Sequence, residues 1–239
     1  MKNKNNICIF GLLDSEAGQI YSFLETKEKK RVKFFVHLGK IKKVNIQLEH
    51  RKRPNKKTAF YKNGKMLGLN VYDQENYTDA IKKFAVKECY LIESNIKKRF
   101  KIYKIAKKLK LNIKTFIHPT VVFGNKKSTY IEEGTIIFPQ NYIGYKTDIG
   151  KCCIIQSNCN LEHHNKIEDF CNINPGVFTG GFTKIGSCSE IHLGTKIINK
   201  INIGKNCKIG AGSLVLKNIK NDTLAYGSPA KKVKKNILF

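Results

Sequence analysis

The chain has no apolar run approaching the roughly 18 residues that a membrane-crossing helix needs, so no membrane insertion is expected. The start, Met1 to Leu13, imitates a secretory leader only faintly. Lys2 and Lys4 precede ICIFGLL, but Asp14 and Glu16 follow at once and no small-x-small cleavage site appears. It reads as a first β-strand, and the chain as cytoplasmic. The eight cysteines (Cys8, Cys89, Cys152, Cys153, Cys159, Cys171, Cys188 and Cys207) contain no CxxC pair. Zinc sites need closely spaced ligand pairs, so no metal is expected. Small buried thiols in a reducing compartment are the simpler reading.

Acidic residues are also scarce. Asp and Glu number 18 against 45 Lys and Arg, a formal net charge of +27. Such a field suits an anionic partner. The densest basic run, Arg51-Lys52-Arg53-Pro54-Asn55-Lys56-Lys57, has no aromatic residue within it. Residues 1–118 carry 29 Lys+Arg against 10 Asp+Glu, and the excess continues beyond them. This is a bias spread over every surface, so no specific nucleic acid is expected. A nucleotide diphosphate or coenzyme A would be equally welcome.

What is present is a repeat. From Ile131 every sixth residue is aliphatic: Ile131, Ile137, Ile143, Ile149, Ile155, Leu161, Ile167, Ile173, then Thr179 as the exception, then Ile185, Ile191, Ile197, Ile203, Ile209 and Val215. A helix repeats every 3.6 residues and a strand every 2, so neither sustains a period of six. The pattern predicts a left-handed parallel β-helix. Each hexapeptide makes a strand and a turn, three make a coil, and the aliphatic residue points inward. Lys126-Lys127 read as a two-residue insertion in the first coil, and the chain should leave the repeat at Asn218.

The first half alternates strands and helices, which predicts a small parallel, Rossmann-like α/β domain. Strands are expected at Asn6–Leu12, Val32–Val36, Cys89–Ile92 and Ile113–Phe116. Helices are expected at Ala17–Leu24, Tyr77–Val86 and Ile96–Leu109, with Asp73 or Asn76 capping the second. Lys52–Lys65 reads as a loop. The division is 1–117, an α/β acceptor-binding domain, and 118–239, a β-helix with a C-terminal tail.

Several segments carry a family likeness: Ile117-His118-Pro119, Leu161-Glu162-His163-His164 with Ile167-Glu168-Asp169-Phe170, Gly180-Gly181, Ile209-Gly210-Ala211-Gly212-Ser213 and Tyr226-Gly227-Ser228-Pro229-Ala230-Lys231. On these the chain resembles bacterial sugar acyltransferases of the sialic acid O-acetyltransferase and bacillosamine-pathway N-acetyltransferase type. The resemblance implies a homotrimer, acetyl-coenzyme A as donor, and a nucleotide-linked amino sugar or sialic acid as acceptor. Two departures stand out. The family's N-terminal Gly-x-Gly-Gly-His loop is here Gly11-Leu12-Leu13-Asp14-Ser15-Glu16-Ala17-Gly18. A second histidine nine residues after the catalytic one is here Asn172, which can hydrogen-bond but cannot shuttle a proton.

Acyl transfer from a thioester needs a base for the acceptor and donors for the oxyanion. His163 is the expected base, with Glu162 or Glu168 orienting its ring and Asn172 in the second-histidine position. The repeat places Gly181 one coil below His163, which should leave room for a pantetheine arm and expose an N–H. Gly180, Gly181, Ala211 and Gly212 are expected along the coenzyme groove, although solenoid corners want the same residue types. Pro229, Ala230 and Lys231 should cover the nucleotide end of the coenzyme. Gly11, Asp14, Ser15 and His164 are expected to contact the acceptor, and His164 is the second choice of base. A γ-type carbonic anhydrase shares the β-helix but would need zinc-binding histidines, for which only His163, His164 and His192 lie in the repeats.

Overall fold

In a computed structural model of the chain, residues 5–11, 16–39, 61–62 and 64–236 are described. The chain divides into two compact units, residues 1–93 with 102–113, and residues 94–101 with 114–239.

The first unit is built on one sheet. Its strands are β1 (Asn6–Gly11), β2 (Val32–Val36), β3 (Tyr61–Lys62), β4 (Lys65–Met66), β5 (Leu69–Tyr72), β6 (Val86–Ile92) and β7 (Asn112–Ile113). Their order across the sheet is β3-β4-β5-β2-β1-β6-β7. The five strands from β5 to β7 run parallel, as the alternation of strands and helices predicts. β3, β4 and β5 add an antiparallel edge, so the sheet is mixed rather than purely parallel. Part of the expected loop Lys52–Lys65 is therefore strand. Two-residue strands are too short to show a period of two. The turns between them do carry a signal, since Gly64 and Gly68 sit at φ 74° and 81°.

Ile7 to Phe10 are fully buried, as suits a central parallel strand covered on both faces. The expected helix Tyr77–Val86 stops at Lys83, Ala85 turns to φ 46°, and Val86 already begins β6. Asn76 stands at the N-cap position, but its side chain accepts from the Asp73 N–H, and Asp73 accepts from the Glu75 N–H. Both side chains close a local turn instead of capping the helix.

The second unit is a left-handed parallel β-helix with three faces. The first face runs from Phe116–Ile117 through Ile136–Ile137, Ile154–Ile155, Asn172–Ile173, Glu190–Ile191 and Lys208–Ile209 to Thr223–Gly227 and Ala230–Lys235. The second runs from Val122–Phe123 to Leu214–Val215, and the third from Tyr130–Ile131 to Asn202–Ile203. Every repeat position from Ile137 to Val215 is buried, and each from Ile137 to Ile197 pairs with its equivalent 18 residues on. Burying a side chain of that size is worth about 1.5–3 kcal/mol, which the hexapeptide collects at each corner-to-corner step.

The repeat extends further than its period shows. Phe116–Ile117 and Val122–Phe123 form rungs 20 residues before their partners, because the turn at Lys126–Ser128 adds two residues. At the other end Ile219 and Ala225 pair with Ile203 and Ile209 at a spacing of 16. The segment from Asn218 thus completes a shortened last coil instead of leaving the repeat. The cysteines fit the same logic. Thr135, Cys153, Cys171, Ser189 and Cys207 form one column of small inward residues, and all are buried.

Arg99 is fully buried in this unit. Its Nη2 donates to the Phe170 carbonyl at 2.8 Å, and Phe100 meets Phe170 edge-on at 5.2 Å.

Candidate active site

His163 stands at the edge between the second and third faces, just after the strand Asn160–Leu161. Its ring is exposed and lies flat over Gly181, one coil below. A Cβ built on Gly181 would fall 2.4 Å from Cε1, 2.6 Å from Nε2 and 3.0 Å from Nδ1 of His163. The space that glycine leaves is therefore filled by the imidazole itself, not kept open for a ligand arm. Phe182 meets the same ring edge-on at 5.2 Å.

His164 is half-buried beside it. The two Nδ1 atoms are 3.1 Å apart. His164 stacks on Phe182, with centroids 4.6 Å apart and planes at 14°, and Tyr145 approaches edge-on at 5.6 Å. Tyr145 and Phe182, which touch the pair, remain 42% and 51% exposed, and Phe178 on the second face is 49% exposed.

Behind the pair the interior turns polar. Asn165, Thr147, Thr179 and Thr183 are all buried. Asn165 Nδ2 donates to Thr179 Oγ1, its Oδ1 accepts from the Thr183 N–H at 2.7 Å, and Thr147 Oγ1 donates to the Glu162 carbonyl at 2.9 Å. The Glu162 N–H donates to Thr179 Oγ1 at 3.3 Å. In the other rungs of this face (Gly124–Ile143, Gly144–Leu161, Gly180–Ile197 and Ile198–Val215) the N–H reaches a main-chain carbonyl instead. The repeat's one exception thus coincides with an altered rung beside His163. The exception at Thr179 was visible in the sequence; its partner Asn165 was not, because small polar residues occupy that inward corner elsewhere in the repeat.

The other expected residues are dispersed. Glu162 forms no side-chain hydrogen bond among the described residues. Glu168 cannot orient His163. Its carboxylate takes the Ser187 N–H and Oγ–H and pairs with Lys184 at 3.2 Å, across the edge between the third and first faces. Burial alone would raise its pKa, but those bonds outweigh it and hold the carboxyl below the usual value. Asn172 lies on the first face, opposite the edge that carries His163. Its Nδ2 donates to the Ser94 carbonyl at 2.7 Å, so a role beside His163 of the same chain is closed to it.

Gly180 is pinned by a close approach, since a Cβ there would fall 2.5 Å from the Asn199 nitrogen. Ala211 and Gly212 are exposed on the edge between the first and second faces, where Gly212 takes φ 66°. One whole face separates them from His163. Pro229 and Lys231 are exposed, with Ala230 half-buried between them, in the terminal hairpin. Gly11 ends β1, where a Cβ would fall 2.1 Å from the Ile92 carbonyl oxygen, so close packing already accounts for it. Asp14 and Ser15 lie outside the described residues, as do His50 and the basic run Arg51–Lys57.

His192 lies on the first face and pairs with Glu190 at 3.4 Å, away from the histidine pair. Among the described residues no group of three or more His, Cys, Asp or Glu is placed to hold a metal ion. Nor is any described helix long and apolar enough to cross a membrane.

No family model matches the chain. A Saccharomyces cerevisiae protein described as a candidate acetyltransferase is 28% identical over 163 residues, 56% of this chain and 83% of its own. Serine acetyltransferase of Buchnera aphidicola is 34% identical over 104 residues, 36% of this chain and 38% of the enzyme. Among solved structures, GDP-perosamine N-acetyltransferase from Caulobacter crescentus, in complex with CoA and GDP-perosamine, superposes with a TM-score of 0.78. It is 18% identical, and the match covers 96% of this chain and 97% of that one. The acetyltransferase domain of PglB from Neisseria gonorrhoeae, in complex with acetyl coenzyme A, gives 0.76 at 17% identity, covering 96% and 100%. At such identities the structures speak for the fold alone. The hexapeptide repeat and the β-helix fold are thus shared with solved acetyltransferases, and these sequence relatives are acetyltransferases by description.

Proposed function

We propose that the protein transfers the acetyl group of acetyl-coenzyme A to an amino group on a nucleotide-linked sugar, with His163 as general base. The observation that carries this reading is the placement of His163. An exposed imidazole on a β-helix edge, laid over a glycine, sits in a fold shared end to end with an N-acetyltransferase crystallised with CoA and GDP-perosamine.

The reaction then runs as follows. The sugar amine nitrogen attacks the thioester carbonyl carbon, forming a C–N bond and placing negative charge on the carbonyl oxygen. Collapse breaks the C–S bond and releases the thiolate. His163 Nε2 takes the proton that the amine loses and returns it to the departing sulfur, so the products are the amide and the free thiol. The neutral imidazole serves the first half as base and the imidazolium it becomes serves the second as acid. Main-chain N–H groups at the corner serve the oxyanion. The basic surface favours both phosphate-bearing substrates.

The dispersion of the other site residues supports a homotrimer. His163 and the pair Ala211-Gly212 stand on two different edges, so a groove holding both requires an edge from a second copy. The exposed aromatics Tyr145, Phe178 and Phe182 suit a covered edge. Sedimentation at micromolar concentration tests this, and a monomer would contradict the shared groove.

The activity test is a mass-spectrometric screen of acetyl-coenzyme A against UDP-, GDP- and dTDP-linked amino sugars. One acetyl group gained on the amine is expected. Turnover only on a hydroxyl, as on free sialic acid, would move the acceptor class, and no turnover on any sugar would reject the reading.

A further inference from the structure

In this chain the partner of the proposed base is a second histidine. We infer that His164 is a positioning residue, which accepts the Nδ1–H of His163 and so keeps the His163 Nε2 free to take a proton. The inference rests on the reading of His163 as the base.

Three observations carry it. First, the two Nδ1 atoms stand 3.1 Å apart. Two bare lone pairs repel at that distance, so one proton must lie between them, and one ring donates while the other accepts. Second, His164 is held in place. Phe182 stacks on one side at 4.6 Å and 14°, and Tyr145 closes edge-on at 5.6 Å. His163 is the more exposed of the two, and beyond its seat over Gly181 its ring contacts are edge-on, from Phe182 and His164. The half-buried, stacked ring is the fixed reference, and the exposed ring is the one it orients. Third, no carboxylate replaces it. Glu162 forms no side-chain hydrogen bond among the described residues, and Glu168 is taken up by Ser187 and Lys184.

The arrangement has a consequence that a carboxylate partner would not share. When His163 Nε2 takes its proton, the ring becomes an imidazolium whose Nδ1–H points at a neutral imidazole. The partner orients the cation without cancelling its charge. The charged groups nearest along the chain are Glu162 before the pair and Lys166 two residues after it, and the corner column adds Lys146 one coil above His164 and Lys200 two coils below it. A cation at His163 therefore forms in a field of mixed sign, and a partner carboxylate would stabilise it further.

The test compares three substitutions by kcat, by KM for acetyl-coenzyme A and by pH profile. His164→Phe keeps the stack on Phe182 but has no nitrogen. It should lower kcat about tenfold or more, with KM for the coenzyme changed less than about twofold. His164→Asn tolerates the positive φ of 56° found here and offers an amide oxygen, so it should recover part of the loss. His164→Asp should recover activity with the acidic limb moved to higher pH, because a carboxylate favours the protonated form of His163. Far-ultraviolet circular dichroism and the melting temperature verify that each variant folds. Full kcat in His164→Phe, or an unmoved limb in an active His164→Asp, overturns the inference. If His163→Asn also keeps its activity, the reading of the base fails instead, so the two failures are distinguishable. Loss of activity in His164→Phe and His164→Asn alike, with His163→Asn still active, would make His164 itself the base.

Discussion

The N–H of Glu162 ends on the hydroxyl of Thr179, 3.3 Å away, in a face whose other rungs end on main-chain carbonyls. Thr179 is also the single repeat position without an aliphatic side chain. Its hydroxyl receives the Asn165 amide as well, so one buried oxygen joins two strands of the ladder directly behind His163. The β-helix departs from its own repeat at this place and keeps the departure hydrogen-bonded, as buried polar groups must be.

Thr179→Val restores the aliphatic column and removes that oxygen. The Asn165 amide would lose its acceptor while staying buried. Leaving a buried donor unmade costs about 1–3 kcal/mol, so the variant should be less stable in urea despite its better hydrophobic match. Thr179→Ser keeps the hydroxyl and should lose only the packing of one methyl group, about 1 kcal/mol. A Val variant as stable as the parent would show that the hydroxyl contributes nothing.

Gly181→Ala tests the histidine's seat. Its backbone is open to alanine, since Gly181 is not among the glycines of positive φ. The new methyl would fall within 3.0 Å of three ring atoms of His163. The exposed imidazole can swing away at little cost in stability, so the melting temperature should move by a few degrees at most. Turnover should fall by about a hundredfold, the scale set by misplacing a catalytic group by an ångström. Unchanged kcat/KM in a folded variant would mean that the observed ring position is not the working one.

The cysteines give a chemical test of the interior. Seven of the eight are buried, and Cys188 alone is half-exposed. Burial pushes the Cys152 and Cys159 thiols up to about 12, where almost no thiolate exists at neutral pH. An aromatic disulfide reagent should label Cys188 first and slowly in the native protein, then all eight thiols in denaturant. Rapid native labelling of Cys153 or Cys171 would contradict a closed β-helix core.

The β-helix was legible because its signal is long. Twelve isoleucines in phase leave few alternatives, and even the two-residue insertion at Lys126-Lys127 could be placed. What the period could not show was its shortened end, where Ile219 and Ala225 keep their columns at a spacing of 16. The strands of Tyr61–Tyr72 escaped because two residues carry no periodicity. At the site, sequence spacing put Gly181 beneath His163, and the structure agrees. Asn172 and Glu168 looked equally near along the chain, yet a three-faced coil sends residues five and nine positions away to other faces. Buried Arg99 stands three residues after Ile96 and seven before Ala106, both buried, but its charge hid it among the exposed Lys97, Lys98 and Lys101.

His163 is the proposed base for acetyl transfer. The most direct measurement is kcat/KM for acetyl-coenzyme A and a nucleotide-linked amino sugar in the parent and in His163→Asn, with coenzyme affinity determined by titration in both. Removing a general base typically costs about 10²–10⁴-fold in rate, so turnover should fall by at least a hundredfold while coenzyme affinity stays nearly unchanged. A His163→Asn enzyme that folds, binds the coenzyme and retains more than about a tenth of the parent kcat/KM would contradict it.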